Sequence, residues 1–214
     1  PFISFLSSFF FRTIVCLHFI KLNFFLEDIL KLDYWLFETI NQAAPIYVIE
    51  QLLILVRHPI FWIPLYLFIV SFLVFNFKEK AYWIILFSLL TFGTSDMVSS
   101  QLIKKSVQRL RPCRTETPIQ VTTRVYCGSG YSFTSSHATN HFAIAVFWMF
   151  VLGKYIKWVK IPLIFWAGII SYAQVFVGVH FPTDVLVGSI IGCMIGYLWA
   201  ALYARYYENK LQIT

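Results

Sequence analysis

Charge is what this chain has least of. Only 13% of its 214 residues are Asp, Glu, Lys or Arg, against about 25% in a soluble domain, and that deficit excludes an ordinary solvated globule. Acidic residues are scarcest, 10 against 17 basic ones, which leaves a formal net charge of +7. The basic residues sit between apolar runs rather than on a solvated face. That placement excludes nucleic acid as the natural partner and favours anionic headgroups or a phosphorylated substrate. Internal repeats are missing, and the length leaves no room for a second membrane domain. Abundant instead are apolar and aromatic side chains, 59% and 20% of the chain, with a mean hydropathy of +0.71. Rings of Trp and Tyr suit the interfaces of a bilayer.

Runs of about 20 apolar residues cross a bilayer core. Five stand out: residues 59–77, with Pro64 expected to kink the helix, then 81–103, 135–153, 161–179 and 184–204. Residues 1–25 are apolar and Phe-rich but are interrupted by Arg12, His18 and Lys21. They read either as a sixth span or as a signal-like segment. From residue 26 the chain reads as one membrane domain, 26–214. It begins with LEDILKLDYWLFETIN, whose helical periodicity predicts an amphipathic helix lying in the interface. The expected fold class is all-α, an integral membrane bundle of five to six transmembrane helices.

Alternating spans bring the polar loop at 104–134, the helix start at 135 and the turn at 180–184 to one face. The other face shows short basic connectors, Lys78 and Lys80, then Lys154, Lys157 and Lys160, and reads as cytoplasmic. Lys and Arg on the first face blur that count, so cysteine decides. Cys113 and Cys127 both lie in the polar loop. A disulfide between them restrains it by about 3 kcal/mol in the chain-entropy model and belongs to an oxidising compartment. The expected location is a plasma (inner) membrane, with this face turned outward or to the periplasm.

Three polar clusters meet there. KKSVQRLRP carries Lys104 and Arg111 and stops at Pro112. TSSHATNH places capping residues Thr134, Ser135 and Ser136 before a helix, so its first N–H groups can hold an anion, with His137 in the first turn. FVGVHFPTD sets His180 four residues before Asp184. Phosphoryl transfer needs cations and N–H donors around the equatorial oxygens, which Lys104, Arg111 and the 135–137 backbone provide without a metal. It also needs an in-line nucleophile, which His180 oriented by Asp184 provides, and an acid for the leaving alkoxide, which His137 provides. His137 and His141 have a metal-ligand spacing, but no Glu lies between them to complete a zinc motif. His141 therefore reads as a packing group, Asp96 as a group paired with a neighbouring helix or reaching the site, and Arg57 and His58 as interfacial. No cofactor is expected.

Lys104-x6-Arg111-Pro112, Ser135-Ser136-His137, and Gly178-Val179-His180 with Asp184 resemble, in order, the three signature motifs of the type 2 phosphatidic acid phosphatase family. That family includes membrane lipid phosphatases and vanadium haloperoxidases. The resemblance covers about residues 26–204. It implies a phosphohistidine on His180, His137 as acid, Asp184 orienting His180, and phosphate held by Lys104, Arg111, Ser135 and Ser136. The substrate implied is a phosphorylated membrane lipid, dephosphorylated at the external face. Two departures stand out. Thr134 and Ser136 replace the Pro and Gly of the second motif. Ala173 and Gln174 replace the Ser-Arg that normally opens the third, so Gln174 brings a hydrogen-bond donor to the phosphate but no charge; either the activity is weak or Arg109, Arg114 or Arg124 compensates. The alternatives are a non-catalytic phospholipid-binding or scaffold protein and a lipid phosphotransferase.

Overall fold

The computed structural model describes residues 26–114 and 119–211; the apolar segment 1–25 lies outside the described residues. Contacts divide the chain into two units after Leu36. The LEDILKLDYWLFETIN stretch is helical over 26–41 (α1), and the boundary between the units falls within it.

In the second unit, α2 (Tyr47–Val56) precedes a tight turn at Pro59–Trp62 and α3 (Ile63–Phe77). Pro64 stands in the first turn of α3. Its missing N–H has no intrahelical partner to lose there, so the expected kink does not arise. Lys78, at φ 48°, turns the chain directly into α4 (Glu79–Val107). Within α4, Met97–Ile103 widens to π-helix, a form that recurs at functional sites. Gln108 closes α4 in the left-handed region, φ 53°, ψ 28°. Then follow a long loop, α5 (Ser136–Val151), α6 (Lys160–Phe176) and α7 (Pro182–Leu211). No strand occurs among the described residues.

Among the described residues four stretches are long and apolar enough to cross a membrane: Pro59–Phe77, Glu79–Val107, Lys157–Phe176 and Pro182–Tyr207. They match four of the five expected spans, and the chain is a multi-pass membrane protein. The fifth differs. At 16 residues, α5 is shorter than a typical span and forms the centre of the bundle, with Ala138, Ala143, Ala145 and Phe147 wholly buried. It packs against α4, α6 and α7.

Small residues let α7 approach this centre. Gly188, Gly192 and Gly196 recur every four residues along one face. A Cβ on Gly188 would stand 2.9 Å from the Ser135 carbonyl oxygen, and one on Gly192 or Gly196 would press into the carbonyls of Thr139 or Ala143. Where apolar side chains gain little by leaving lipid, such close backbone approach is a main source of helix association. It also fixes the start of α7 against the start of α5, where the polar motifs lie.

Candidate active site

The loop between α4 and α5 is tied at several points. Cys113 and Cys127 form a disulfide, with Cα atoms 6.1 Å apart. Three cations bond consecutive carbonyls of its returning limb: Arg114 donates to Ser129 O at 3.0 Å, Arg111 Nε to Gly130 O at 2.9 Å and Lys104 Nζ to Tyr131 O at 3.1 Å. The limb is thereby laid over the end of α4. Ser132 N donates to Arg109 O, Arg124 N to Val177 O and Ser135 N to Asp184 O. The expected meeting of the three motifs at one end of the bundle is therefore present as a bonded assembly.

Gly178 shapes the approach to His180. Its φ is +86°, and a Cβ there would meet the Thr122 carbonyl at 2.8 Å, so a side chain is excluded both by conformation and by space. The turn delivers His180 into the interior at 2% exposure, beside a wholly buried Asp184. Asp184 is held on every side. Oδ1 accepts from Arg109 at 2.8 Å, and Oδ2 accepts from Phe181 N at 2.8 Å and from the Ser132 hydroxyl. Arg109 also donates to Thr183 at 2.7 Å and lies over the Phe181 ring, 4.0 Å from its centre.

His180 Nδ1 stands 3.6 Å from Asp184 Oδ2, long for a direct hydrogen bond. The Ser132 hydroxyl closes the gap, 3.4 Å from Nδ1. With Nδ1 facing these groups, Nε2 is the nitrogen left for chemistry. Burial pushes the His180 imidazole down to about 4; Asp184 pulls it up, while Lys104 and Arg111 push it further down. It is therefore a neutral imidazole at physiological pH, as a nucleophile must be.

At the start of α5 the Ser135 hydroxyl accepts from Ala138 N at 3.5 Å. Because Ser135 N is bonded to Asp184, the first-turn donors left for an anion are those of Ser136 and His137. The π-helical stretch of α4 brings two adjacent serines to the Ser136 hydroxyl, Ser99 at 2.9 Å and Ser100 at 3.1 Å. Asp96 accepts from Ser100 at 3.2 Å and from Asn140 at 3.0 Å, so it is paired with the neighbouring helix. Burial first, then the charges of His141, His180, Arg57 and Lys104, push the His137 imidazole down to about 3. His141 turns its Nδ1 to the His137 carbonyl at 2.7 Å and packs its ring on Trp166, 4.9 Å between centres. Among the described residues no three His, Cys, Asp or Glu side chains are grouped to hold a metal ion.

Beside His137 lies a cavity of about 450 Å³, lined by Trp62, Tyr66, Leu89, Phe92, Ile144 and Trp166, with Arg57, Ser136 and His137 among its polar groups. Apolar walls with a few converging polar groups are the usual composition of a ligand site.

The remaining sequence candidates fall differently. Gln174 is wholly buried, and neither of its side-chain polar atoms has a hydrogen-bond partner among the described residues. The arginines expected to compensate for it are already engaged. Arg109 holds Asp184, Arg114 holds the loop carbonyl of Ser129, and Arg124 bonds Glu50 at 3.0 Å and the carbonyls of Asn41 and Phe176 at 2.7 and 2.9 Å. Two groups escaped sequence reasoning. Ser132 carries no spacing signal. Arg57, read there as interfacial, reaches the cavity; its signal is a lone cation ending the apolar run YVIEQLLILV.

A family profile described as the PAP2 superfamily matches residues 81–208. The chain is 33% identical over 144 residues to a lipid A 4′-phosphatase of Bacteroides thetaiotaomicron, covering 65% of this chain and 63% of that protein. It is 30% identical over 145 residues to a lipid A 4′-phosphatase of Porphyromonas gingivalis, covering 64% of this chain and 60% of that one. The chain thus spans less than two thirds of these relatives' length. Among solved structures, a PAP2-type phosphatidylglycerolphosphate phosphatase from Bacillus subtilis has the same fold, with TM-score 0.67 at 22% identity, over 83% of this chain and 87% of that one. Aquifex aeolicus LpxE aligns with TM-score 0.58 at 27% identity, over 77% of this chain and 92% of that one.

Proposed function

The chain belongs to the PAP2 superfamily, and from that premise we propose that it hydrolyses a phosphate ester of a membrane lipid at the outward face, through a phosphohistidine and without a metal. The observation that carries this reading is the neutral, buried His180 aligned by Ser132 and Asp184 beside Lys104, Arg111 and the first turn of α5.

In the first step His180 Nε2 attacks phosphorus in line. The N–P bond forms and the ester P–O bond breaks; His137, held low by burial and its cationic neighbours, takes up its proton as the anionic phosphate binds beside it and gives that proton to the departing lipid alkoxide. Developing charge on the equatorial oxygens is met by Lys104, Arg111 and the N–H groups of Ser136 and His137. In the second step water attacks the phosphohistidine, His137 takes the water's proton, the N–P bond breaks and inorganic phosphate leaves. Asp184 stabilises the positive charge that His180 carries between the two steps, while Arg109 holds the carboxylate in place.

The apolar cavity beside His137 suits a substrate approaching from the bilayer, and the lipid A 4′-phosphatase relatives point to a phosphate on a saccharolipid. The Cys113–Cys127 disulfide supports an oxidising, external location for this face. The test is phosphate release by the purified protein, in EDTA, from lipid A, phosphatidate, phosphatidylglycerophosphate and undecaprenyl pyrophosphate, with His180→Ala as control. Equal release by wild type and His180→Ala sinks the mechanism. A binding-only role is the second reading, favoured by the uncharged Gln174, and it is supported by lipid binding without release.

A further inference from the structure

Arg57 caps the C-terminus of α2. Leu53 and Val56 of that helix pack with Ala173, Phe176, Val177 and Val179 at the end of α6. The guanidinium is therefore anchored beside the segment that carries Gln174 and leads to His180. It lines the cavity together with Ser136 and His137. Its Nε is buried without a hydrogen-bond partner, and among the described residues no carboxylate pairs with it.

Arg57 is half-buried, and a guanidinium whose Nε is shut off from water without a partner is costly to hold; its surroundings raise the cost. Burial and then the neighbouring Arg111 both push the Arg57 guanidinium below its ordinary value. Arg111, Lys104 and Arg57 crowd around the start of α5, and two carboxylates face them: Asp184, already saturated by Arg109, Ser132 and Phe181 N, and Asp96, which lines the same cavity but accepts from Ser100 and Asn140 rather than from Arg57. Like charges held this close call for an anion between them. Of the other arginines of this end, Arg109 and Arg124 are ion-paired with Asp184 and Glu50, Arg114 is exposed and bonded to the Ser129 carbonyl, and position 174 holds no charge.

On the lipid-phosphatase reading above, we propose that Arg57 grips the phosphate of the bound lipid, supplying from α2 the guanidinium that the third motif lacks. The cation reaches the same anion from a different helix, on the side where the cavity admits the leaving group. It assists both by holding the phosphate against His180 and by neutralising charge on its oxygens in the pentacoordinate state.

Orthovanadate, which resembles that state, is the probe. Its binding to the purified wild type, Arg57→Lys and Arg57→Gln is measured by calorimetry in micelles with EDTA. The expected result is a dissociation constant at least tenfold higher for Arg57→Gln, with Arg57→Lys between the two. Equal binding by all three overturns the proposal, even if the variant melts earlier. In the phosphate-release assay kcat/KM of Arg57→Gln should fall by about 10²-fold, the worth of one stabilising donor. Full turnover by that variant overturns the role of Arg57 and leaves the phosphatase reading standing. Vanadate affinity that depends on Arg57 in a wild type releasing no phosphate keeps the anion site and removes the phosphatase. A wild type that binds no vanadate overturns both.

Discussion

Ser132 stands between His180 and Asp184. Its hydroxyl lies 3.4 Å from His180 Nδ1 and donates to Asp184 Oδ2, while the ring nitrogen and that oxygen are themselves 3.6 Å apart. The carboxylate thus steers the imidazole partly through a hydroxyl that comes from the loop rather than from either signature motif. The same loop residue donates its backbone N–H to Arg109 O, and Arg109 in turn holds the far oxygen of Asp184. Loop, carboxylate and imidazole are one hydrogen-bonded unit.

Ser132→Ala removes the bridge and leaves a buried carboxylate short of one donor. One net hydrogen bond is worth about 0.5–1.5 kcal/mol, so kcat should fall by about three- to tenfold with KM nearly unchanged. Ser132→Thr, which keeps the hydroxyl, should recover part of the rate. Steady-state kinetics on all three proteins checks this, and a KM effect larger than the kcat effect would count against a role in aligning His180.

The depressed His180 value sets a pH window. The folded-state value near 4 lies below the ordinary 6.5 of a free imidazole, so the neutral form persists down to about pH 4. Between those two values the unfolded chain binds a proton that native His180 does not, and stability falls as pH is lowered through that window. A 15N NMR titration of labelled histidine in the folded protein in micelles should place the His180 midpoint well below the 6.5 of an unfolded chain. A midpoint near 6.5 in the folded protein would remove the argument for a ready nucleophile. The titration is preferable to a rate profile, because a phosphate ester itself takes up a proton near pH 6.

How α5 and α7 approach each other decides whether this unit assembles. A Cβ at position 192 would enter the space of the Thr139 carbonyl and stand 3.1 Å from Ala143 N, both of them backbone atoms that cannot rotate away. Gly192→Ala should cost about 1–3 kcal/mol, the usual scale of an overpacked contact. Gly168, where an added Cβ would meet nothing within 4 Å beyond its own helix, is the control: Gly168→Ala should be neutral or slightly stabilising in its helix. Melting temperatures of the two variants in the same detergent check the contrast, and equal melting would mean that α7 tolerates separation.

The helices were legible because lipid demands long apolar runs, and LYLFIVSFLVFNF or VLVGSIIGCMIGYLW satisfies that demand locally. The length of α5 was harder, since its apolar pattern runs past Val151 while the backbone ends the helix there. Lys104, Arg111, His137, His180 and Asp184 were legible as motif positions, and the backbone brings them to one end of the bundle as their spacing requires. Ser132 and Arg57 were not. Each reaches the site through tertiary placement: the hydroxyl because Arg111 and Lys104 lay the loop across α4, the guanidinium because α2 packs on the end of α6. The π-helical widening that presents both Ser99 and Ser100 to Ser136 is likewise invisible in SDMVSSQLIKK. The apparent vacancy at Gln174 misled in a third way, because it suggested a compensating arginine from the polar loop and those arginines are bound elsewhere.

Gln174→Arg separates a deficit from a replacement. Position 174 is wholly buried and its amide is unpartnered, so an arginine there must desolvate its guanidinium as well as find room. If the site lacked a cation, an anion beside that guanidinium would offset the cost and the rate would rise. If Arg57 already supplies the charge, the new guanidinium meets Arg57 and Arg111 at close range. Repulsion then adds to burial, while Asp184 is saturated and Asp96 is bonded to Ser100 and Asn140. The expected result is a lower melting temperature, by the several kcal/mol that an unpaired buried charge costs, and no gain in kcat/KM. The same substitution placed on Arg57→Gln should be less harmful than on the wild type, because the competing charge is gone. A non-additive pair of that sign, read from the double-mutant cycle of melting temperature and phosphate release, identifies positions 57 and 174 as two answers to one requirement. Strict additivity would mean that the two side chains never share an anion.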